Sequence, residues 1–159
     1  MRASSVPTRL AVAIPRVADT AWLMRRPYRR RAPSVFRSAL EILWLKTLLM
    51  MRGYASTLAW IRRHVEAVRL VEDPDPALVM MAEWSVAMAA AFYPGRAQCL
   101  ERSLVLYYLL RRQGIPVRYC HGVQPYPLVS HAWIEYRGEV INDVPERVKQ
   151  FSRFPDQLP

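Results

Sequence analysis

Cysteine is scarce in this chain: its 159 residues include two, Cys99 and Cys120. Two thiols cannot build the disulfide framework of a small secreted domain, so a reducing, cytoplasmic setting is expected. A secretory signal is also missing, because the apolar stretch 10–14 is short and is cut by Pro15 and Arg16. The most apolar run, 40–51, contains Glu41 and Lys46. It is too short to cross a bilayer and reads as a buried helix. The sequence has no internal repeat and no recognisable nucleic-acid motif. The close Cys/His pairs of a zinc finger are absent, and Cys120 and His121 are strand neighbours that would point to opposite faces. No metal or other cofactor is expected, and no nucleic-acid partner.

Acidic residues are nearly absent from the beginning of the chain. Residues 1–37 carry nine Arg against one acid, Asp19, a balance of +8 out of the total of +10. The basicity therefore belongs to an N-terminal arm, 1–37, and not to a body spanning 38–159. Such an arm is a solvated tail or a peripheral contact for an anionic surface. It also has the Arg-rich, acid-poor character of a transit peptide. The body is about half apolar, rich in Trp and Tyr, and of a length that fits one domain with a real core.

Along the body, helices come first. Ser34 is a suitable N-cap for a helix over 35–52 that Gly53 would stop, and a second helix is predicted over 55–70. Asp75 with Pro76 opens a third helix that runs to about Phe92. On it Trp84, Met88 and Phe92 recur at helical spacing and are expected to pack toward the next helix. That fourth helix starts at Gln98 or Cys99 and ends at Gln113, where Gly114 suits a left-handed cap and Pro116 follows. Short strands are then predicted over 117–123, 130–136 and 139–144. Helices followed by a small antiparallel sheet make an α+β fold.

Three residues bear chemistry. Cys99 opens a helix, whose N-terminus favours the thiolate that a nucleophile needs. His131 lies on the second strand. Asp143 lies beyond the following turn. A three-residue loop, 136–138, would pair Glu135 with Glu139, Trp133 with Ile141 and His131 with Asp143, bringing imidazole and carboxylate together. A two-residue turn would place them on opposite faces. In the first register Asp143 orients His131, His131 serves Cys99 as base and then acid, and the Cys99 backbone N–H helps to hold the oxyanion. Gln98 is a candidate second oxyanion donor by residue type. Tyr93, Trp133 and the loop containing Tyr126 are candidate lining of a peptide groove. Cys120 reads as a core residue and His64 as a surface one.

The blocks Cys99-Leu100-Glu101-Arg102-Ser103-Leu104, Leu109 to Pro116, Gly122-Val123, His131-Ala132-Trp133-Ile134-Glu135, Gly138 and Asn142-Asp143 resemble the transglutaminase-like leader peptidases of lasso peptide biosynthesis. The resemblance covers about 75–150. It implies a papain/transglutaminase-like core and a cysteine protease that removes the leader from a ribosomally made precursor peptide. It further implies an asparagine-synthetase-like cyclase acting afterwards. Because 1–37 lacks the strand pattern of a leader-binding domain, the resemblance implies a stand-alone form served by a separate leader-recognition protein. An amidase or acyltransferase on the same scaffold would carry the same Cys-His-Asp set. A non-enzymatic binder would instead act through the basic arm.

Overall fold

The computed structural model describes residues 32–94, 97–155 and 158. Most of the basic arm, 1–31, lies outside them. The first element, α1 (Val35–Val65), begins where Ser34 accepts the Arg37 backbone N–H at 3.3 Å. The two helices expected at 35–52 and 55–70 are both present, joined across a kink at Gly53, and the second ends at Val65. Gly53 does break the helical path, with φ of 73°, but the helix resumes at once. The Thr57 hydroxyl donates to the Gly53 carbonyl at 2.8 Å, taking up an acceptor that the break frees. Ile42 and Leu45 before the bend, and Leu58, Ile61 and Val65 after it, face the same core.

Helix α2 (Pro76–Ala91) is capped by Asp75, whose carboxylate accepts the Ala77 N–H at 3.0 Å. Its buried side differs from the expected one. Trp84 is 59% and Phe92 76% exposed, whereas Leu78, Ala82, Ser85, Val86 and Ala89 face inward. The helix is apolar on every side, so spacing alone could not choose the face. Small residues took the inner side, where α1 approaches closely. There Ser85 donates to the Ala82 carbonyl at 2.9 Å, which leaves its oxygen to accept from Ser38 at 3.0 Å.

Helix α3 (Cys99–Arg112) is the centre of the molecule: every residue from Ser103 to Leu110 is buried. It packs on α1, on α2 and on one face of the sheet. Gly114 ends it with φ of 77°, and Ile115 donates back to the Leu110 carbonyl at 3.0 Å.

The sheet is antiparallel, in the order β3-β2-β1-β4, from β1 (Val117–Gln124), β2 (Val129–Tyr136), β3 (Glu139–Val140) and β4 (Ser152–Arg153). Between β3 and β4 sits a single helical turn, α4 (Pro145–Val148). Tyr119, Ala132 and Ile134 belong to the main core with α3. Cys120 and Trp133 form a second, smaller cluster with Val148. Gly122 sits where β4 crosses closely: a Cβ there would stand 2.8 Å from the Ser152 carbonyl oxygen and 3.1 Å from Trp133. Gly122→Ala is therefore expected to cost about 1–3 kcal/mol of stability by overpacking against backbone, read as a lowered denaturant midpoint with an unchanged slope.

Two strand expectations are corrected. The β2–β3 connection is the two-residue turn Arg137-Gly138, both at positive φ (52° and 85°), so Glu135 pairs with Val140 and Tyr136 with Glu139. That turn follows the strand twist, and it separates Glu135 from Glu139. The third strand also stops at Val140, well short of residue 144.

Candidate active site

The shortness of β3 creates the site. Backbone groups on one edge of a strand come from every second residue, so Ala132 and Ile134 present theirs to the same edge of β2. The Ile134 carbonyl there accepts the Ile141 N–H at 3.1 Å, the last rung of the hairpin. After that rung the chain leaves the ladder. The Ile134 N–H is taken by the side-chain oxygen of Asn142 at 2.8 Å, and the Ala132 carbonyl by the Ser103 hydroxyl at 2.9 Å. The edge beside His131 is thus filled by α3 and by residue 142 instead of by a neighbouring strand.

Leaving the ladder is also what brings Asp143 to His131. In the observed register a continued strand would put Asp143 on the wrong face. Free of it, the Asp143 carboxylate reaches His131 Nε2 at 2.5 Å through Oδ2, while its Oδ1 accepts the Val144 N–H at 2.7 Å. The expected His131–Asp143 contact is present, but it arises from a broken strand and not from the three-residue loop proposed to explain it. His131 is 3% exposed, with the Phe151 ring 5.0 Å away and Trp133 stacked at 6.2 Å. With Nε2 held by the carboxylate, Nδ1 is the ring nitrogen left for proton exchange.

Cys99 is the first residue of α3 and is half-buried. It lies four residues ahead of Ser103, hence on the same side of the helix and one turn nearer its N-terminus. Ser103 in turn touches the residue next to His131. Among the described residues no hydrogen bond joins Cys99 to His131. Gln98 is the N-cap, its backbone N–H held by Glu101 at 3.0 Å.

On the side of the sheet that faces α1, the Tyr119 and Tyr54 hydroxyls share a hydrogen bond at 3.2 Å, and Tyr54 is 3.3 Å from His121 Nδ1. Burial pushes the Tyr119 phenol far above its ordinary range, with the hydrogen bond to Tyr54 adding to the shift, and burial also raises Tyr54. Both remain protonated donors. Burial, then the neighbouring charge of His131, lowers His121. A neutral His121 can accept from Tyr54.

The remaining candidates are spread out. Tyr93 packs on the core under Lys46, and Tyr126 is 89% exposed on the β1–β2 loop. Trp133 is almost wholly covered, and its indole N–H donates to Glu135 at 3.1 Å. It forms part of the floor of a concavity of about 680 Å³ with Val140, Val148 and Phe151. Cys120 is buried and His64 exposed, as expected. The residues without an assigned role in the sequence reading are Ser103, Asn142, Tyr54 and Tyr119. Ser103 had a usable signal: a hydroxyl inside an apolar helix must find a partner if buried.

These features can be set beside known proteins. Over 50 residues the chain is 38% identical to the microcin J25-processing protein McjB of Escherichia coli, a match covering 31% of this chain and 24% of that protein. No solved structure matches the chain. Residues 42–155, well over half of the sequence, match the family model of the Transglutaminase-like superfamily. With its α+β core, central helix and antiparallel sheet, this protein belongs to the Transglutaminase-like superfamily.

Proposed function

We propose that the protein is a cysteine peptidase that cuts the leader from a ribosomally made lasso peptide precursor, with Cys99 as nucleophile, His131 as acid–base and Asp143 as its orienting partner. The observation that carries this reading is the His131 Nε2–Asp143 Oδ2 bond, formed beside the strand edge against which the Cys99 helix packs. The family membership and the local identity to a peptide-processing protein support it further.

The chemistry follows from the roles. The Cys99 thiol passes its proton to His131 Nδ1, and Sγ attacks the carbonyl carbon at the leader–core junction. The tetrahedral oxyanion meets the N–H groups at the start of α3, which have no partner within the helix. Collapse breaks the C–N bond, with the His131 proton going to the departing amine of the core peptide. Water, deprotonated by His131, then cleaves the thioester and frees the leader acid. Asp143 keeps the imidazole fixed through both halves. No step calls for a metal or organic cofactor. The partners are the precursor, a separate leader-recognition protein and an asparagine-synthetase-like cyclase that uses the freed amine. The arm at 1–37 makes at most a peripheral contact with an anionic surface, and the setting is cytoplasmic. The catalytic domain corresponds to 38–159, with its core at about 75–150.

The test is to incubate the protein with a candidate precursor, with and without a leader-binding partner, and to weigh the fragments. Hydrolysis yields two fragments whose masses sum to the precursor plus one water. A product that instead carries an added amine identifies the acyltransferase alternative, and an unchanged precursor under all conditions overturns the reading.

A further inference from the structure

Ser103 and Asn142 form a buried network whose three ends lie beside the three residues of the proposed triad. The Asn142 amide donates to the Ser103 hydroxyl at 2.9 Å, and Ser103 donates to the Ala132 carbonyl at 2.9 Å. Asn142 Oδ1 accepts the Ile134 N–H at 2.8 Å. Ser103 is fully buried and Asn142 half-buried. Ser103 is one helical turn from Cys99, Ala132 is bonded through the chain to His131, and Asn142 precedes Asp143. Each of the four polar groups is satisfied by another member: the hydroxyl gives one bond and accepts one, and the amide spends both its oxygen and its nitrogen. Such a network is stiff because every broken bond would leave a buried polar group unpaired.

We propose that Ser103 and Asn142 are positioning residues: together they lock the start of α3, the middle of β2 and the 142–143 segment into one register, and so set the separation of Cys99 from the His131–Asp143 pair. Neither side chain touches substrate. Both act through the backbone they hold. The network stands in for the missing rungs of β3, and a regular strand there would have excluded the helix from the edge. The proposal rests on the cysteine-peptidase reading above, because a separation between these groups matters only if they act together.

Two measurements test it. The first is steady-state cleavage of the precursor. Ser103→Ala and Asn142→Ala are each expected to lower kcat about 10–100-fold while KM stays within about twofold, as for a misplacement of about 1 Å within a reacting set. The double variant is expected to fall no further than about threefold below the weaker single one, because the two residues act as one unit. The second is the rate of Cys99 alkylation by iodoacetamide at neutral pH, followed by peptide mass mapping. It needs no substrate, and it is expected to fall by the same order as kcat. Cys120 is buried and serves as an internal reporter of unfolding in the same sample.

Single variants that melt earlier yet keep wild-type kcat and wild-type Cys99 labelling overturn the proposal, since the network would then be merely structural. Fully multiplicative losses in the double variant overturn it as well. If Asn142→Ala exposes Cys120 to labelling and so reports unfolding, Ser103→Ala decides, because it removes one oxygen and leaves a good helix former. Failure of the peptidase reading looks different. In that case the parent protein itself leaves the precursor intact, or Cys99→Ala cleaves as well as the parent, whatever the network variants do.

Discussion

Replacing Cys99 by alanine is expected to end release of the core peptide, with a fall of roughly 10⁴-fold or more, the scale on which loss of the nucleophile disables a covalent-catalysis unit. Cys99 is half-buried at the first position of α3, where alanine fits the helix at least as well as cysteine. The variant should therefore fold and melt near the parent temperature, so that lost activity reports lost chemistry. The measurement is single-turnover cleavage of the precursor with its leader-binding partner present, read by mass. Residual cleavage above about one-hundredth of the parent rate would sink the nucleophile assignment, since water delivered by His131 alone cannot replace an attacking sulfur.

The second large effect is expected at Asp143. Asp143→Asn should lower kcat by about 10²–10⁴-fold, nearly as much as Asp143→Ala, although asparagine is almost the same shape. The reason lies in the two oxygens. Oδ1 accepts the Val144 N–H and Oδ2 holds His131 Nε2. An asparagine would keep its one oxygen on Val144 and turn its NH₂ toward the imidazole. His131 Nε2 would then have to accept, which forces the proton onto Nδ1 of the neutral ring. That is the wrong tautomer for taking a proton from the thiol. Arg147, 4.0 Å from Asp143 Oδ1, is exposed and should matter little by comparison. A fully active Asp143→Asn enzyme would show that the carboxylate only fills space beside His131.

The network of Ser103 and Asn142 bears on the same geometry from the other side. Asp143 fixes the direction of the imidazole, whereas Ser103 and Asn142 fix where the strand and helix that carry His131 and Cys99 meet. Losses at the first should follow the tautomer, and losses at the second should appear as slower chemistry with binding retained.

Much of this protein was legible in its residues. Ser34, Asp75 and Gly114 mark helix boundaries through groups that act within a few residues: a hydroxyl, a carboxylate and a missing Cβ. The change to β-branched and aromatic alternation after Pro116 marks the sheet, and the order of the elements fixes the α+β class. Cys99, His131 and Asp143 stand out as candidates in the residues alone because their types and local settings restrict what they can do.

The way those residues meet was beyond reach of local pattern. A two-residue turn at Arg137-Gly138 sets a register in which a regular strand would carry Asp143 away from His131. What prevents this is a side chain, Asn142, taking the Ile134 N–H at the point where β3 ends. Strand length here depends on a competition between backbone rungs and long-range side-chain bonds to Ser103, and that competition exists only once the helix is in place. The inner face of α2 is undecided for the same reason: with apolar residues all round, only the approach of its neighbours selects Ala82, Ser85 and Ala89 over Trp84 and Phe92. The sequence by itself determined the order of the main helices and strands and the local settings of Cys99, His131 and Asp143, because short-range sterics and hydrogen bonding suffice for those. The tertiary structure alone decided register, burial face and the union of His131 with Asp143, because each is settled by contacts between residues far apart in the chain.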